Sequence, residues 1–173
     1  APPDGYTLLL YSNGLWTLPL MRSDVSYDPV RDFSLITLVT TTPQILVTNP
    51  SLPAASVSEL ITFAKGKPGA LNYASAGPGT SGHLAGALLA SMAGINIVHV
   101  PYKSAPPVLN AVLSGEVQLA FAAAGSVAPH IKSGKLRALA VTSIQQSALA
   151  PGLPTMASVL PGYEAITLFG IFA

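Results

Sequence analysis

Tyr73-Ala-Ser-Ala-Gly-Pro-Gly-Thr-Ser-Gly-His83, followed at once by an apolar run over residues 84–92, is the stretch on which the fold of this chain turns. Tyr73 and Ala74 end a short apolar strand, Gly77-Pro78-Gly79 forms a turn, and Thr80 or Ser81 is the N-cap of the helix that follows. The order is strand, glycine loop, helix start. Such a junction gathers backbone N–H groups at the positive end of a helix dipole, and the hydroxyls of Ser75, Thr80 and Ser81 add donors. Two interpretations are open: a cradle for a small anion, or a tight turn whose hydroxyls only cap the helix.

Outward from this stretch the pattern is regular. Strands are expected over residues 45–48, 71–74, 96–100, 117–121 and 136–142, with helices over 57–64, 82–92, 106–113 and 127–132 between them. Ser56 with Glu59 three residues on forms a capping box, Ser104 precedes Pro106-Pro107, and Ser126 precedes the last helix. Gly66, Gly94, Gly115 and Gly134 mark the stops. Strands and helices alternating at this spacing imply an α/β domain with a mostly parallel sheet flanked by helices on both faces. In open α/β sheets ligands bind at the carboxyl ends of strands. Three loops should meet there: residues 75–81, 101–104 and 122–126. No acidic residue occurs between Glu59 and Glu116, whereas Lys65, Lys67 and Lys103 do, so the local field favours a carboxylate.

Upstream, residues 1–5 read as a turn into a buried strand over residues 6–11, which delivers a second polar loop, Ser12-Asn13-Gly14. Residues 15–21 are apolar, but Pro19 argues against a long helix there. Tyr27, Val30 and Phe33 form a staple among turns. Residues 35–40 and 44–48 are β-rich runs that Pro43 should separate, which suggests a crossing between domains. Residues 167–173 are strand-like. The resulting division is a partial unit over 1–42, a complete α/β unit over 43–166, and a return strand over 167–173. Both ends read as cut within a fold, as in an excerpt of a longer chain.

Composition removes several classes of function. The 173 residues include no Cys, which excludes disulfides, thiolate metal sites and a Cys nucleophile. Half the residues are apolar and 9% are charged, yet no apolar run approaches the roughly 20 residues that span a bilayer, so no direct membrane insertion is expected. A net charge of +1 with thinly spread Lys and Arg disfavours nucleic acid. His83, His99 and His130 lack metal-ligand spacing. His99 alternates with valines as a core or edge histidine, His130 with Lys132 suits a helix C-terminus, and His83 either orients the glycine loop or touches a bound acid. No G-x-S-x-G elbow or nearby acid supports nucleophilic catalysis. Gly77 to Gly82 match the letters of G-x-G-x-x-G, but no acid stands about 20 residues on, as a dinucleotide would require.

Four longer motifs carry a resemblance. Tyr27-Asp-Pro-Val-Arg-Asp-Phe33, Asn72-Tyr-Ala-Ser-Ala-Gly-Pro-Gly-Thr80 with His83-Leu84, His99-Val-Pro-Tyr-Lys103, and His130-Ile-Lys-Ser-Gly-Lys-Leu-Arg-Ala-Leu-Ala-Val-Thr142 with Leu153-Pro-Thr155 resemble the Bug family. These are the extracytoplasmic solute-binding proteins of tripartite tricarboxylate transporters. The resemblance implies a periplasmic, two-lobed binding protein, with residues 43–166 the second lobe and the first lobe incomplete. It implies hinge closure about residues 40–42 and 167–170, no catalysis, no cofactor, and membrane permease subunits as partners. By the same resemblance Ser75, Gly77, Gly79, Thr80, Ser81 and His83 would hold a solute carboxylate, with Ser12 and Asn13 from the first lobe. Ser104 and Ala122 complete the expected set. Many members carry an Asp where Ala122 stands, often read as a selector for amino groups. Its replacement disfavours amino acids and leaves mono- or dicarboxylates, aromatic acids or amide-like solutes. Two rivals are the effector domain of a transcription regulator, which shares the two-lobed plan, and an α/β enzyme acting on a small acid.

Overall fold

The structure, a computed structural model, describes residues 4–173, so the first part of the expected N-terminal turn, Ala1 to Pro3, lies outside it. The elements run β1 (Leu9–Ser12), α1 (Gly14–Met21), β2 (Leu35–Thr48), α2 (Val57–Gly66), β3 (Leu71–Ser75), α3 (Ser81–Ala93), β4 (Ile97–Pro101), α4 (Ala105–Ser114), β5 (Leu119–Ala123), α5 (Ala124–Lys132), β6 (Arg137–Val141), a single 3-10 turn (Met156–Ser158) and β7 (Ile166–Phe172). No helix among the described residues is long and apolar enough to cross a membrane. The chain divides into two compact units, one reaching to Thr42 and including Thr167–Ala173, the other Pro43–Ile166.

The larger unit is an α/β sandwich. Its strands lie in the order β4-β3-β5-β2, with β6 on the other side of β2. β3 is parallel to β4 and to β5. β2 runs antiparallel to both β5 and β6, so it is the one strand opposed to the other four. Alternation along the strands divides the core between the two faces. Leu46, Leu71, Tyr73, Leu119 and Phe121 pack with Leu60 of α2 and with Ala85 and Leu89 of α3. On the other face Val47, Ala74 and Ala120 meet Val112 of α4 and Val127 of α5. The capping box at α2 is formed: Glu59 N–H donates to Ser56 Oγ at 3.2 Å and Ala55 N–H to Glu59 Oε2 at 2.7 Å. Gly94 and Gly115 close α3 and α4 as expected, whereas Gly66 is the last residue of α2 and Lys67 its cap.

Several local expectations need correction. Pro43 does not divide β2, which is continuous over 14 residues. The ladder to β5 begins at Gln44 and that to β6 at Ile45, so the donor that proline lacks falls before either register starts. α5 begins at Ala124 with Ala123 as its cap, three residues before the expected start, because Ser126 Oγ donates back to Ala123 O at 2.8 Å from inside the first turn. Residues 122–126 are therefore strand end and helix start rather than a loop.

In the smaller unit β1 pairs antiparallel with β7. The strand expected to be buried is instead exposed, with Tyr6 at 92% and Leu10 at 61% of full accessibility. Tyr27 and Phe33 do meet edge to face at 5.6 Å, but Val30 is 89% exposed and is not part of that staple. Its neighbours are ordered by Asp28, whose carboxylate accepts from the N–H groups of Val30 and Arg31. α1 is a two-turn helix that contains Pro19.

Candidate ligand site at the start of α3

β3 delivers Ser75 to the carboxyl edge of the sheet, and the chain then turns through the glycine loop into α3. Gly77 and Gly79 have φ of 119° and 78°, a region that side chains bearing Cβ rarely enter. The Ser75 side chain is 1% exposed. Its Oγ accepts from Gly77 N–H at 3.1 Å and lies 2.7 Å from His99 Nε2. Thr80 Oγ donates to Gly77 O at 2.7 Å, and Thr80 N–H points at the same carbonyl at 3.3 Å. Thus two hydroxyls that could have capped α3 shape the loop instead. Thr80 holds the N-cap position, and its side chain makes no cap hydrogen bond.

The amides of the loop are partly used. Gly79 N–H donates to His83 Nδ1 at 3.2 Å, so Nδ1 is the bare nitrogen and Nε2 carries the proton of the neutral ring. His83 therefore orients the glycine loop, the first of its two expected roles. Leu84 N–H returns to Thr80 O at 3.0 Å, the first intrahelical bond. The N–H groups of Ser81, Gly82 and His83 precede it in the first turn, where a helix leaves its donors to caps, solvent or ligand.

Close packing fixes this helix end against the sheet. A Cβ at Gly82 would stand 3.2 Å from Phe121 O and 3.7 Å from Ser75 Cβ. One at Gly86 would stand 2.2 Å from the Tyr73 ring. Glycine at both positions lets α3 lie directly on β3 and β5. Beside it three rings cluster: His83 and His99 have centroids 4.2 Å apart, and Tyr73 lies 4.9 Å from His99. Desolvation pulls both imidazoles below their usual range, with the charge of His83 acting further on His99. Burial raises the Tyr73 phenol. The edge of the loop is thus lined by rings that stay neutral near pH 7, beside a helix end of positive potential.

The expected residues do not all fall together. Ser75, Gly77, Gly79, Thr80, Ser81 and His83 form this one junction. Tyr102 N–H donates to Ser75 O at 2.8 Å and so ties the next loop to it. Ser104, two residues on, is the exposed cap position of α4 and makes no side-chain cap bond. Ala122 sits on β5 opposite Ile45 and packs on the α4 and α5 face. Ala123 is the residue on the α3 face, opposite Gln44. Ser12 and Asn13 belong to the smaller unit. There Asn13 Oδ1 accepts from Leu168 N–H at 2.6 Å, and both residues border a largely apolar pocket of about 350 Å³ with Trp16 and Phe172.

His99 is a hydrogen-bonded edge-strand histidine as expected, but its partnership with His83 was missed. The signal was available in the parallel register of β3 and β4, which sets Tyr73 beside His99. Gln44 was missed too. It is 9% exposed, and its Oε1 has no hydrogen-bond partner among the described residues.

An α/β unit of this topology is that of the periplasmic binding proteins. Solved structures bear this out. R. palustris Rpa4515 with adipate superposes with a TM-score of 0.92 at 34% identity, over 100% of this chain and 58% of that one. MatC (Rpa3494) from Rhodopseudomonas palustris with bound malate gives 0.86 at 27% identity, over 100% and 60%. Protein BugT of Bordetella pertussis is 36% identical over 98% of this chain and 53% of its own length. The family model described as tripartite tricarboxylate transporter family receptor matches residues 1–173, and the chain belongs to that family. It spans about half the length of the curated relatives it matches.

Proposed function

We propose that this chain is the ligand-binding portion of an extracytoplasmic receptor that captures a small carboxylate for a tripartite transporter. The observation that carries this reading is the start of α3, where the N-cap residue Thr80 makes no side-chain cap bond. The hydroxyls of Ser75 and Thr80 are directed into the loop, and no acidic side chain occupies the first turn. First-turn amides and the helix dipole together favour a carboxylate there.

In this reading Gly82 and His83 present first-turn amides beside Ser81, while Ser75, Gly77, Gly79 and Thr80 hold the loop in shape. Ser104 stands on the neighbouring loop, and Ser12 and Asn13 are the contributors from the smaller unit. Ala122, with Ala123 beside it at the end of β5, leaves no acidic side chain there to select an amino group. The relatives with adipate and malate support a dicarboxylate. Family membership supports delivery to membrane permease subunits and a periplasmic location.

The contact of Ser75 Oγ with His99 Nε2 invites a hydrolase reading, but burial argues against it. Ser75 is 1% exposed, and its hydroxyl is hemmed by Gly77. No carboxylate is hydrogen-bonded to His99 among the described residues, so the third member of a triad is lacking. We take the chain to be a receptor and not an enzyme.

A thermal-shift screen with adipate, malate, amino acids and amides tests the proposal. A solute at 100 times its dissociation constant stabilises by about 2.7 kcal/mol. Dicarboxylates should shift the transition and amino acids should not. A response to amino acids alone would overturn the carboxylate assignment.

A further inference from the structure

Gln44 begins the paired part of β2, immediately after Pro43, and its main chain is bound on both sides. Gln44 N–H donates to Thr142 Oγ at 2.7 Å, and Thr142 N–H donates to Gln44 O at 2.9 Å. The carboxamide has no such partner. The residue is nine-tenths buried, and its Oε1 is sealed from solvent without a hydrogen bond. A sealed, unpartnered amide oxygen detracts from stability, which calls for a role other than folding.

The sheet says where that side chain lies. Gln44 shares a face with Leu46, two residues on, and Leu46 packs in the cluster that holds Ala85 and Leu89 of α3. Its cross-strand neighbour is Ala123, one step past the Ala122 pairing and two past Phe121. The carbonyl of Phe121 lies beneath Gly82 in the first turn of α3. Two residues along a strand advance about 7 Å and one strand spacing adds about 4.8 Å, distances a glutamine side chain covers in large part. Ala123 carries nothing beyond Cβ, so its side chain offers the Gln44 carboxamide no hydrogen-bond partner.

A circuit of hydrogen bonds encloses the same spot. Tyr163 Oη donates to Ala85 O at 2.8 Å in α3. Two residues later Ala165 is tied to Thr142, by its own N–H to Thr142 O at 3.0 Å and by the Thr142 hydroxyl to its carbonyl at 2.5 Å. Thr142 in turn holds Gln44. These bonds link the main chain at Gln44 through Thr142 to the segment after Tyr163 and so to α3, and the pairing with Ala123 sets Gln44 at the carboxyl end of β5.

Thr48 supplies an internal contrast. It is also buried on β2 with an unpartnered Oγ, but it pairs with Leu119 and Arg137 at the far end of the strand. That end of β2 lies away from the start of α3, and nothing about the Thr48 hydroxyl points to a ligand.

We propose that Gln44 is a solute-contacting residue, whose carboxamide hydrogen-bonds the small carboxylate seated at the start of α3. This rests on the receptor reading above. An amide offers both donor and acceptor and turns readily about its last torsion, so it serves a carboxylate oxygen or a hydroxyl beside it.

The test is calorimetric titration of the purified chain with adipate and with malate, for the wild type, Gln44→Met and Gln44→Glu. Methionine keeps the length and removes the hydrogen bonds, whereas glutamate sets a like charge against the solute. The expected result is at least a tenfold loss of affinity in Gln44→Met and a larger loss in Gln44→Glu. The thermal midpoint of the solute-free Gln44→Met variant should equal or exceed that of the wild type, which separates lost contact from lost fold. Wild-type binding retained in Gln44→Met would overturn the role of Gln44 and leave the receptor reading standing. A wild type that binds neither acid would overturn both.

Discussion

α2 and α3 start within one α/β unit and differ in how their first turns are satisfied. α2 has the complete device, with Ser56 accepting from Glu59 N–H and the Glu59 carboxylate accepting from Ala55 N–H. α3 has a threonine at the same position, but its hydroxyl turns back to Gly77 O and no acid follows. One start is closed by its own side chains and has no need of a ligand. The other directs the Thr80 hydroxyl into loop geometry and has no acid in its first turn. Capping chemistry thus separates a structural helix end from a candidate binding end when both carry a hydroxyl residue at the cap position.

The largest effect should come from disturbing the seat of α3. Gly86→Ala would drive a methyl group into the Tyr73 ring, where a Cβ would stand at 2.2 Å. Overpacking of this kind costs about 1–3 kcal/mol or more, measurable as a lower urea midpoint, and should remove dicarboxylate binding as well. An unchanged midpoint would mean the contact between α3 and β3 is looser than described.

Making α3 resemble α2 comes next. Ser81→Asp puts an acid in the first turn, which should stabilise the solute-free protein by about 0.3–1 kcal/mol through the dipole. The same charge should weaken adipate at least tenfold, about 1.4 kcal/mol, by titration calorimetry. Undiminished affinity would place the solute away from this helix end. The converse change, Ser56→Ala at α2, should cost about 1 kcal/mol of stability and leave dicarboxylate affinity unaltered.

The smallest effect concerns pH. His83 and His99 are held below the usual imidazole range, chiefly by desolvation. Free imidazoles take up protons near pH 6.5, so the unfolded chain binds protons there that the folded chain refuses. Their contribution is complete above that pH and is lost as the pH falls below it. Urea midpoints should therefore decline between about pH 7.5 and pH 5.5, less steeply in His99→Gln. Identical slopes in the two proteins would remove the ring cluster from the account.

Much of the α/β unit was legible because strand and helix periods alternate cleanly and the capping box at Ser56 and Glu59 is local. The glycine loop was legible for the same reason: Gly77 and Gly79 adopt positive φ. What escaped depended on neighbours distant in sequence. Pro43 reads as a break until one knows that the ladders to β5 and β6 start after it. Ala122 and Ala123 differ by one residue, and only register decides which shares a face with α3. His83 and His99 meet because β3 and β4 align in parallel, and the exposure of β1 follows from packing that periodicity does not report.

The most direct measurement is an amide proton–nitrogen correlation spectrum of the chain during titration with adipate. The account expects the Gly82 and His83 amides at the start of α3 to move progressively with added acid, while the Glu59 amide, already bonded to Ser56, stays in place. Binding detected by calorimetry with Gly82 and His83 unmoved would contradict it.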